Sequence, residues 1–299
     1  MCIMGKCAFN IVDVFAEEKY AGNQLAVVRE AKELPDAEKQ RIAREMNFSE
    51  TTFILQGKKQ SGGYNVRIFT PVQELPFAGH PTLGTAYVIQ REIIRKQVKA
   101  VTLNLKVGQI PVLFSYRGKE ADVLWMHQMP PIFGQVFDKD IISDILSIDE
   151  KEIDDRFPIQ DVSTGVHFII VPLKSIDSLK RASIVRDRYL ELVQHLEAKG
   201  ILIFCPETHK PGSDLSVRVF VDYYGVPEDP ATGSGNGCLA GYLVKHRYFA
   251  KDSIDIRVEQ GYEIGRPSLL LLRSEEKDGK IDVFVGGKVV NIAKGEFAQ

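Results

Sequence analysis

Two stretches decide the fold. One is Glu74-Leu75-Pro76-Phe77-Ala78-Gly79-His80-Pro81. The other is Glu228-Asp229-Pro230-Ala231-Thr232-Gly233-Ser234-Gly235. They share E-x-P-x-x-G, and Glu228 lies 154 positions after Glu74, about half of the 299-residue chain. Arg67-Ile68-Phe69 and Arg218-Val219-Phe220 read as strands ahead of the two motifs, and a small-residue helical pattern follows each. In register, Ala86 meets Ala240. Agreement of motif and downstream helix at one offset, with an R-x-F strand ahead of each, indicates an internal duplication. A duplicated chain is expected to form two similar lobes with a cleft between them.

The rest of the chain fits that expectation. A prior of roughly 150 residues per domain gives about two domains. The 44% hydrophobic and 26% charged fractions are those of a globular protein and exclude global disorder. Thirty-eight Lys and Arg against 40 Asp and Glu give a net charge of -2, which provides no electrostatic footprint for nucleic acid or an anionic membrane. Four cysteines, Cys2, Cys7, Cys205 and Cys238, form no CxxC pair and no zinc-ligand spacing, so no metal is expected. The N-terminus lacks the apolar core of a secretory signal, and no apolar run reaches ~18 residues. A cytoplasmic location follows as an expectation.

Strands are expected at Phe9–Phe15, Gln24–Val28, Thr51–Leu55, Tyr64–Phe69, Val101–Leu105, Ile110–Tyr116 and Val123–Met129. A second series runs His167–Val171, Ile201–Cys205, Ser216–Tyr223, Ile254–Glu259, Ser268–Arg273, Ile281–Val285 and Val289–Ile292. All are short, rich in β-branched or aromatic residues and bounded by breakers. Helices are expected from an Asp36 cap to Met46, from near His80, over Arg186–Ala198, and from Ser234 to Lys245. This is no regular βαβ alternation, so the class is α+β, with barrel-like lobes rather than a doubly wound sheet. Gly286-Gly287 reads as a hairpin turn.

Each motif reads as strand, tight turn, helix start. Gly79 and Gly233 permit unusual backbone, Pro81 suits a first helical turn, and Ser234 is a good N-cap with His80 in the equivalent place. Helix N-termini favour anions, and a pair of them would hold a carboxylate and stabilise an enolate. Taken singly, each is also an ordinary turn–helix junction; the pair favours a site. Glu50, in Asn47-Phe48-Ser49-Glu50-Thr51-Thr52-Phe53, reads either as a solvated turn carboxylate or as a cleft acid with apolar neighbours, suited to proton transfer. His80, Asp229 and Ser234 are the other polar groups expected in the cleft. His127, His167, His195, His209 and His246 read as surface or core residues, and Cys205 and Cys238 as packed thiols.

These segments resemble the phenazine-biosynthesis isomerase family (PhzF-like). The resemblance rests on Gly22 through Val28, Asn47 through Phe53, Arg67 through Gly84, Glu228 through Ser234, and Gln260-Gly261 with Gly265-Arg266-Pro267-Ser268. It implies a diaminopimelate epimerase-like fold: two pseudo-symmetric lobes, each a β-barrel-like sheet around a central helix. The expected N-terminal lobe is 1–130, joined by a final strand at 289–299, and the C-terminal lobe is 131–288. The resemblance also implies a cofactor-independent isomerase and a homodimer. Glu50 matches the family's proton-shuttling glutamate. His80, Asp229, Ser234, Gly79 and Gly233 match its substrate-contacting residues. The two-cysteine racemases related to the family carry a thiol just before each motif glycine; here those positions hold Ala78 and Thr232. After Ser234 the chain reads Gly-Asn-Gly-Cys, a departure from the family at the second helix.

The resulting expectation is an isomerase that shuttles a proton on a small carboxylate-bearing metabolite in the inter-lobe cleft. The alternative is a non-catalytic family member that keeps the cleft to bind a metabolite or a protein. No nucleic-acid or membrane partner is expected.

Overall fold

The computed structural model describes residues 7–298; Cys2 and the start of the expected first lobe lie outside them. The chain divides into two compact units, Met1–Met126 with Gly286–Gln299, and His127–Val285. In chain order the elements are β1 (Ala8–Val14), β2 (Asn23–Val28), α1 (Asp36–Met46), β3 (Glu50–Ile54), β4 (Tyr64–Phe69), β5 (Glu74–Leu75), α2 (Gly79–Val88), β6 (Ala100–Leu105), β7 (Gly108–Arg117) and β8 (Glu120–His127). There follow β9 (Ile132–Phe137), α3 (Lys139–Leu146), β10 (Ile159–Ser163), β11 (His167–Pro172), α4 (Ile176–Arg181), α5 (Arg186–Val193), β12 (Gly200–Cys205) and β13 (Leu215–Val221). The chain ends with β14 (Val226–Asp229), α6 (Gly233–Lys245), β15 (Ser253–Gln260), β16 (Ser268–Lys277), β17 (Lys280–Gly287) and β18 (Val289–Glu296). The fold is mixed and dominated by sheet. Among the described residues no helix is long and apolar enough to cross a membrane.

The first unit pairs β1–β2, β2–β3, β3–β4, β4–β6 and β6–β7 as antiparallel, parallel, antiparallel, parallel, antiparallel. The second pairs β10–β11, β11–β12, β12–β13, β13–β15 and β15–β16 in the same order of directions. The registers also correspond. Thr51 and Phe53 face Phe69 and Arg67, as Ile201 and Ile203 face Phe220 and Arg218. Outside this shared ladder, β18 pairs with β1 and β9 with β10.

One helix fills each unit because its sequence is apolar or small all round, the pattern of a fully enclosed helix. Every residue of α2 is buried, and it touches β1, β2, β3, β6, β7 and β18. All of α6 is buried except Ser234 and Lys245, and it touches β10, β11, β12, β15 and β16. Small residues set the spacing: a Cβ on Gly84 would lie 2.6 Å from a Leu25 methyl and 2.8 Å from one of Val14. The Thr52 and Thr85 hydroxyls, 2.7 Å apart, tie β3 to α2. A second helical layer explains the unbroken apolar runs of β11 and β12, which are buried on both faces. Ile142, Ile145 and Leu146 of α3, Leu179 of α4 and Tyr189 and Val193 of α5 pack there with Ile169 and Ile201. In the first unit, Ala43 and Ile42 of α1 pack with Val28, Phe53 and Phe69.

The duplicated motif residues prove to be a structural fork. Arg67 Nε and Nη2 each lie 2.7 Å from the Glu74 carboxylate, and Arg218 Nε and Nη2 lie 2.9 and 2.8 Å from that of Glu228. The aromatic of each R-x-F sits under its guanidinium, Phe69 at 5.2 Å and Phe220 at 4.9 Å. This bidentate geometry fixes each β4–β5 and β13–β14 turn ahead of its helix.

Four local expectations change. Asp36 is the first helical residue, behind Pro35 at the cap position. Ser234 is likewise inside its helix; Thr232 is the N-cap residue, and its hydroxyl turns to Asp229 rather than to a helix amide. The helix at Arg186 stops at Val193, where the Lys199 ammonium takes the Val193 carbonyl at 2.7 Å. Gly286-Gly287 continues β17 and makes no turn, because the following strand pairs with β1. Its Gly286 admits the Trp125 indole, which a Cβ would approach to 2.5 Å.

Candidate active site

In the first unit, Glu50 opens β3 opposite Leu25 of β2, and His80 is the second residue of α2. The two side chains meet: His80 Nε2 lies 3.4 Å from Glu50 Oε2, with the imidazole 6% and the carboxylate 15% exposed. Burial pushes the His80 pKa down to about 3, against the opposing effect of a hydrogen bond to the Gln24 backbone. The ring is therefore neutral near pH 7. A carbonyl only accepts, so the nitrogen facing Gln24 carries the ring hydrogen. Nε2, the nitrogen facing Glu50, keeps its lone pair. Gly79 and His80 supply amides of the first turn of α2, which have no partner within the helix, and Pro81 has no N–H to offer.

In the second unit, Asp229 ends β14 and Ser234 is the second residue of α6, with Gly233 before it. Asp229 is buried, Ser234 half-buried. The Thr232 hydroxyl donates to Asp229 Oδ2 at 2.5 Å. Behind them stands Gln260, the last residue of β15 and 1% exposed. Its Nε2 donates to the Asp229 carbonyl at 2.7 Å and to Thr232 Oγ1 at 3.0 Å. Its Oε1 accepts from the Thr232 amide at 3.1 Å and from Asn236 Nδ2 at 2.8 Å. The sequence by itself gives no role to Thr232, Asn236 or Gln260. A signal existed for Gln260: Ile254, Ile256 and Val258 alternate into the core, and the same period carries Gln260 there.

The Gly-Asn-Gly-Cys run faces the interior of this unit. A Cβ on Gly235 would meet Leu202 at 3.3 Å and one on Gly237 would meet Thr164 at 3.0 Å. Cys238 donates to the Val166 carbonyl at 3.3 Å, and burial pushes its pKa up to about 12. Cys205 is buried too, and its pKa is also pushed up to about 12. Neither thiol is poised to ionise near neutral pH. The positions before the motif glycines hold Ala78 and Thr232, neither of which is a thiol.

Residues 12–295 match the family described as phenazine biosynthesis-like protein, PhzC-PhzF. The chain belongs to that family. It is 34% identical over 286 residues to the trans-2,3-dihydro-3-hydroxyanthranilate isomerase of Pseudomonas fluorescens, covering 95% of this chain and 97% of the relative. An uncharacterized isomerase of Clostridium acetobutylicum is 30% identical over 293 residues, covering 95% and 96%. Among solved structures, a phenazine biosynthesis protein of the PhzF family from Bacillus anthracis superposes with a TM-score of 0.90 at 25% identity, covering 99% of this chain and all of its own. The protein is thus a PhzF-family isomerase.

Proposed function

We propose that the protein isomerises a small carboxylate-bearing metabolite without a cofactor, with Glu50 moving the proton. The observation that carries this reading is the buried Glu50–His80 contact at 3.4 Å, beside a ring that burial keeps neutral. An isomerisation of this kind removes a proton from one carbon, shifts the electron pair through an adjacent double bond, and returns the proton to another carbon. Glu50 as carboxylate takes the proton. Once protonated it is a donor, and His80 Nε2 is the acceptor beside it. The contact is repulsive toward the carboxylate and attractive toward the acid, so it favours Glu50 in the proton-loaded intermediate state. Proton transfer by a positioned group contributes typically 10²–10⁴-fold. The amides of Gly79 and His80, and those of Gly233 and Ser234, would bind the carboxylate and the negative charge that develops on it. Asp229 and Ser234 would orient the polar end of the substrate.

The barrel-like lobe architecture, the homodimer and the cytoplasmic location belong to the same reading. They are what the resemblance to the family implies, and light scattering tests the dimer. The named Pseudomonas relative makes trans-2,3-dihydro-3-hydroxyanthranilate the first substrate to try. Turnover of that diene acid by the wild-type protein is expected. Absence of both binding and turnover would refute the substrate assignment.

A further inference from the structure

The Gln260-Gly261 and Gly265–Ser268 segment has a place in the structure that the reaction so far does not use. Gln260 spends all four hydrogen-bonding positions of its carboxamide on Asp229, Thr232 and Asn236. The proton order is fixed: Gln260 Nε2–H to Thr232 Oγ1, and Thr232 O–H to Asp229 Oδ2. Turning the amide over would set its NH₂ against the Thr232 amide and the Asn236 NH₂. Gly261, at φ +79°, lets the chain turn against Pro230, where a Cβ would come within 2.6 Å of the carbonyl. Ser268 Oγ reaches that same carbonyl at 2.9 Å.

The other copy of the repeat shows that the fold does not need this knot. The ladders place Asn104 beside Asn65 and Gln260 beside Val217, which makes Leu105 the counterpart of Gln260. By the motif offset, Leu75, Ala78 and Thr82 stand for Asp229, Thr232 and Asn236. The Thr82 hydroxyl turns back onto its own helix, donating to the Ala78 carbonyl at 2.7 Å. The same turn–helix junction is thus built in the first unit with no such cross-link from the strand. Both copies keep the Arg–Glu fork, so the fork belongs to the scaffold. The four-residue knot is particular to the second unit.

We infer that Gln260 is a positioning residue, holding the Asp229 carboxylate and the first turn of α6 in the arrangement that receives the substrate. This rests on the reading of Asp229 and α6 as substrate-binding. The test compares full-length Gln260→Met, which keeps the volume and removes all four bonds, with Gln260→Glu, which keeps acceptors and removes both donors. With trans-2,3-dihydro-3-hydroxyanthranilate, both are expected to melt cooperatively and to lose at least tenfold in kcat/KM, mostly through KM. Gln260→Glu is expected to recover relative to wild type as the pH falls and its new carboxyl regains a proton to donate. A kcat/KM within twofold of wild type overturns the inference. So does a loss that tracks melting temperature with no recovery at low pH, and so does failure of both variants to fold, since the knot would then be a requirement of the fold. If the wild type is inert toward the diene acid, the substrate assignment fails by itself. Gln260 is then judged by hydrogen exchange at the Thr232 amide, expected to accelerate at least tenfold in Gln260→Met; unchanged protection overturns it.

Discussion

His80 and Glu50 carry opposite demands that burial reconciles. A ring held near pKa 3 stays neutral in the folded protein, while the unfolded ring takes a proton near 6.5. The folded state therefore refuses a proton that the unfolded state accepts, and stability contributed above pH 6.5 declines as the pH falls toward 3. His80→Phe is expected to soften that acid decline, measured by urea unfolding at pH 4 and 7. It is also expected to lower kcat by about 10- to 100-fold, through loss of the acceptor beside Glu50. The thiols give the converse prediction. Cys238→Ala is expected to keep kcat within about threefold of wild type while losing some stability, because a buried thiol held at pKa about 12 acts as core.

The residue scale also shows what sequence could and could not convey. Glu50 alone reads more readily as a solvated turn carboxylate; the side chain that meets it is that of His80, thirty positions away. Thr232 and Asn236 carried no signal because short polar residues at a helix start are ordinary caps. Their role depends on a strand that arrives from residue 260.

At the scale of elements, the motif that first suggested a site is largely scaffold. Arg218 is 8% exposed, forks onto Glu228, and reaches the Leu179 and Ala182 carbonyls at 2.9 and 2.6 Å. It therefore ties β13, β14 and the end of α4 together. Removing one partner of a buried pair leaves an uncompensated charge, so Arg218→Met is expected to cost about 3–5 kcal/mol in denaturant unfolding. Arg67→Met is expected to cost less, because its side chain is 22% exposed, its partner Asp36 is 68% exposed, and Glu74 keeps the Lys106 ammonium at 2.6 Å. Elements with strong local patterns were legible from sequence: α1 spans the expected Asp36–Met46 and α6 ends at Lys245 as expected. The expected strands were found with shifts of a few residues at their ends. β9 and β10 were missed. β9 is mostly exposed, so its sequence shows no clean alternation of buried and exposed residues. α3 was missed although Ile142, Ile145 and Leu146 carry helical spacing.

At the scale of the whole molecule, two copies of one ladder have kept their framework and parted in chemistry. Glu50 and His80 correspond to Gly200 and Ser234; Asp229, Thr232 and Gln260 correspond to Leu75, Ala78 and Leu105. A duplication can therefore be read from retained structural residues, whereas the catalytic reading comes from the positions where the copies differ. The topology also makes the C-terminal strand indispensable to the first unit. β18 pairs with β1 from Glu296 to Val289, Phe297 rests on Phe9 with ring centroids 5.0 Å apart, and Lys294 reaches Glu92 at 2.6 Å. A chain ended at Gly287 is expected to lose cooperative folding of the first unit and to aggregate through the bared β1 edge, seen as loss of the melting transition and of the soluble fraction.

The central claim is that Glu50 moves a proton on and off carbon. Its most direct measurement is NMR of trans-2,3-dihydro-3-hydroxyanthranilate in D₂O with wild-type and Glu50→Gln protein, following exchange of carbon-bound hydrogen and isomerisation together. The predicted result is that Glu50→Gln binds the acid within a few-fold of wild type and slows both processes by about 10²–10⁴-fold. Exchange and isomerisation at the wild-type rate in Glu50→Gln would contradict it.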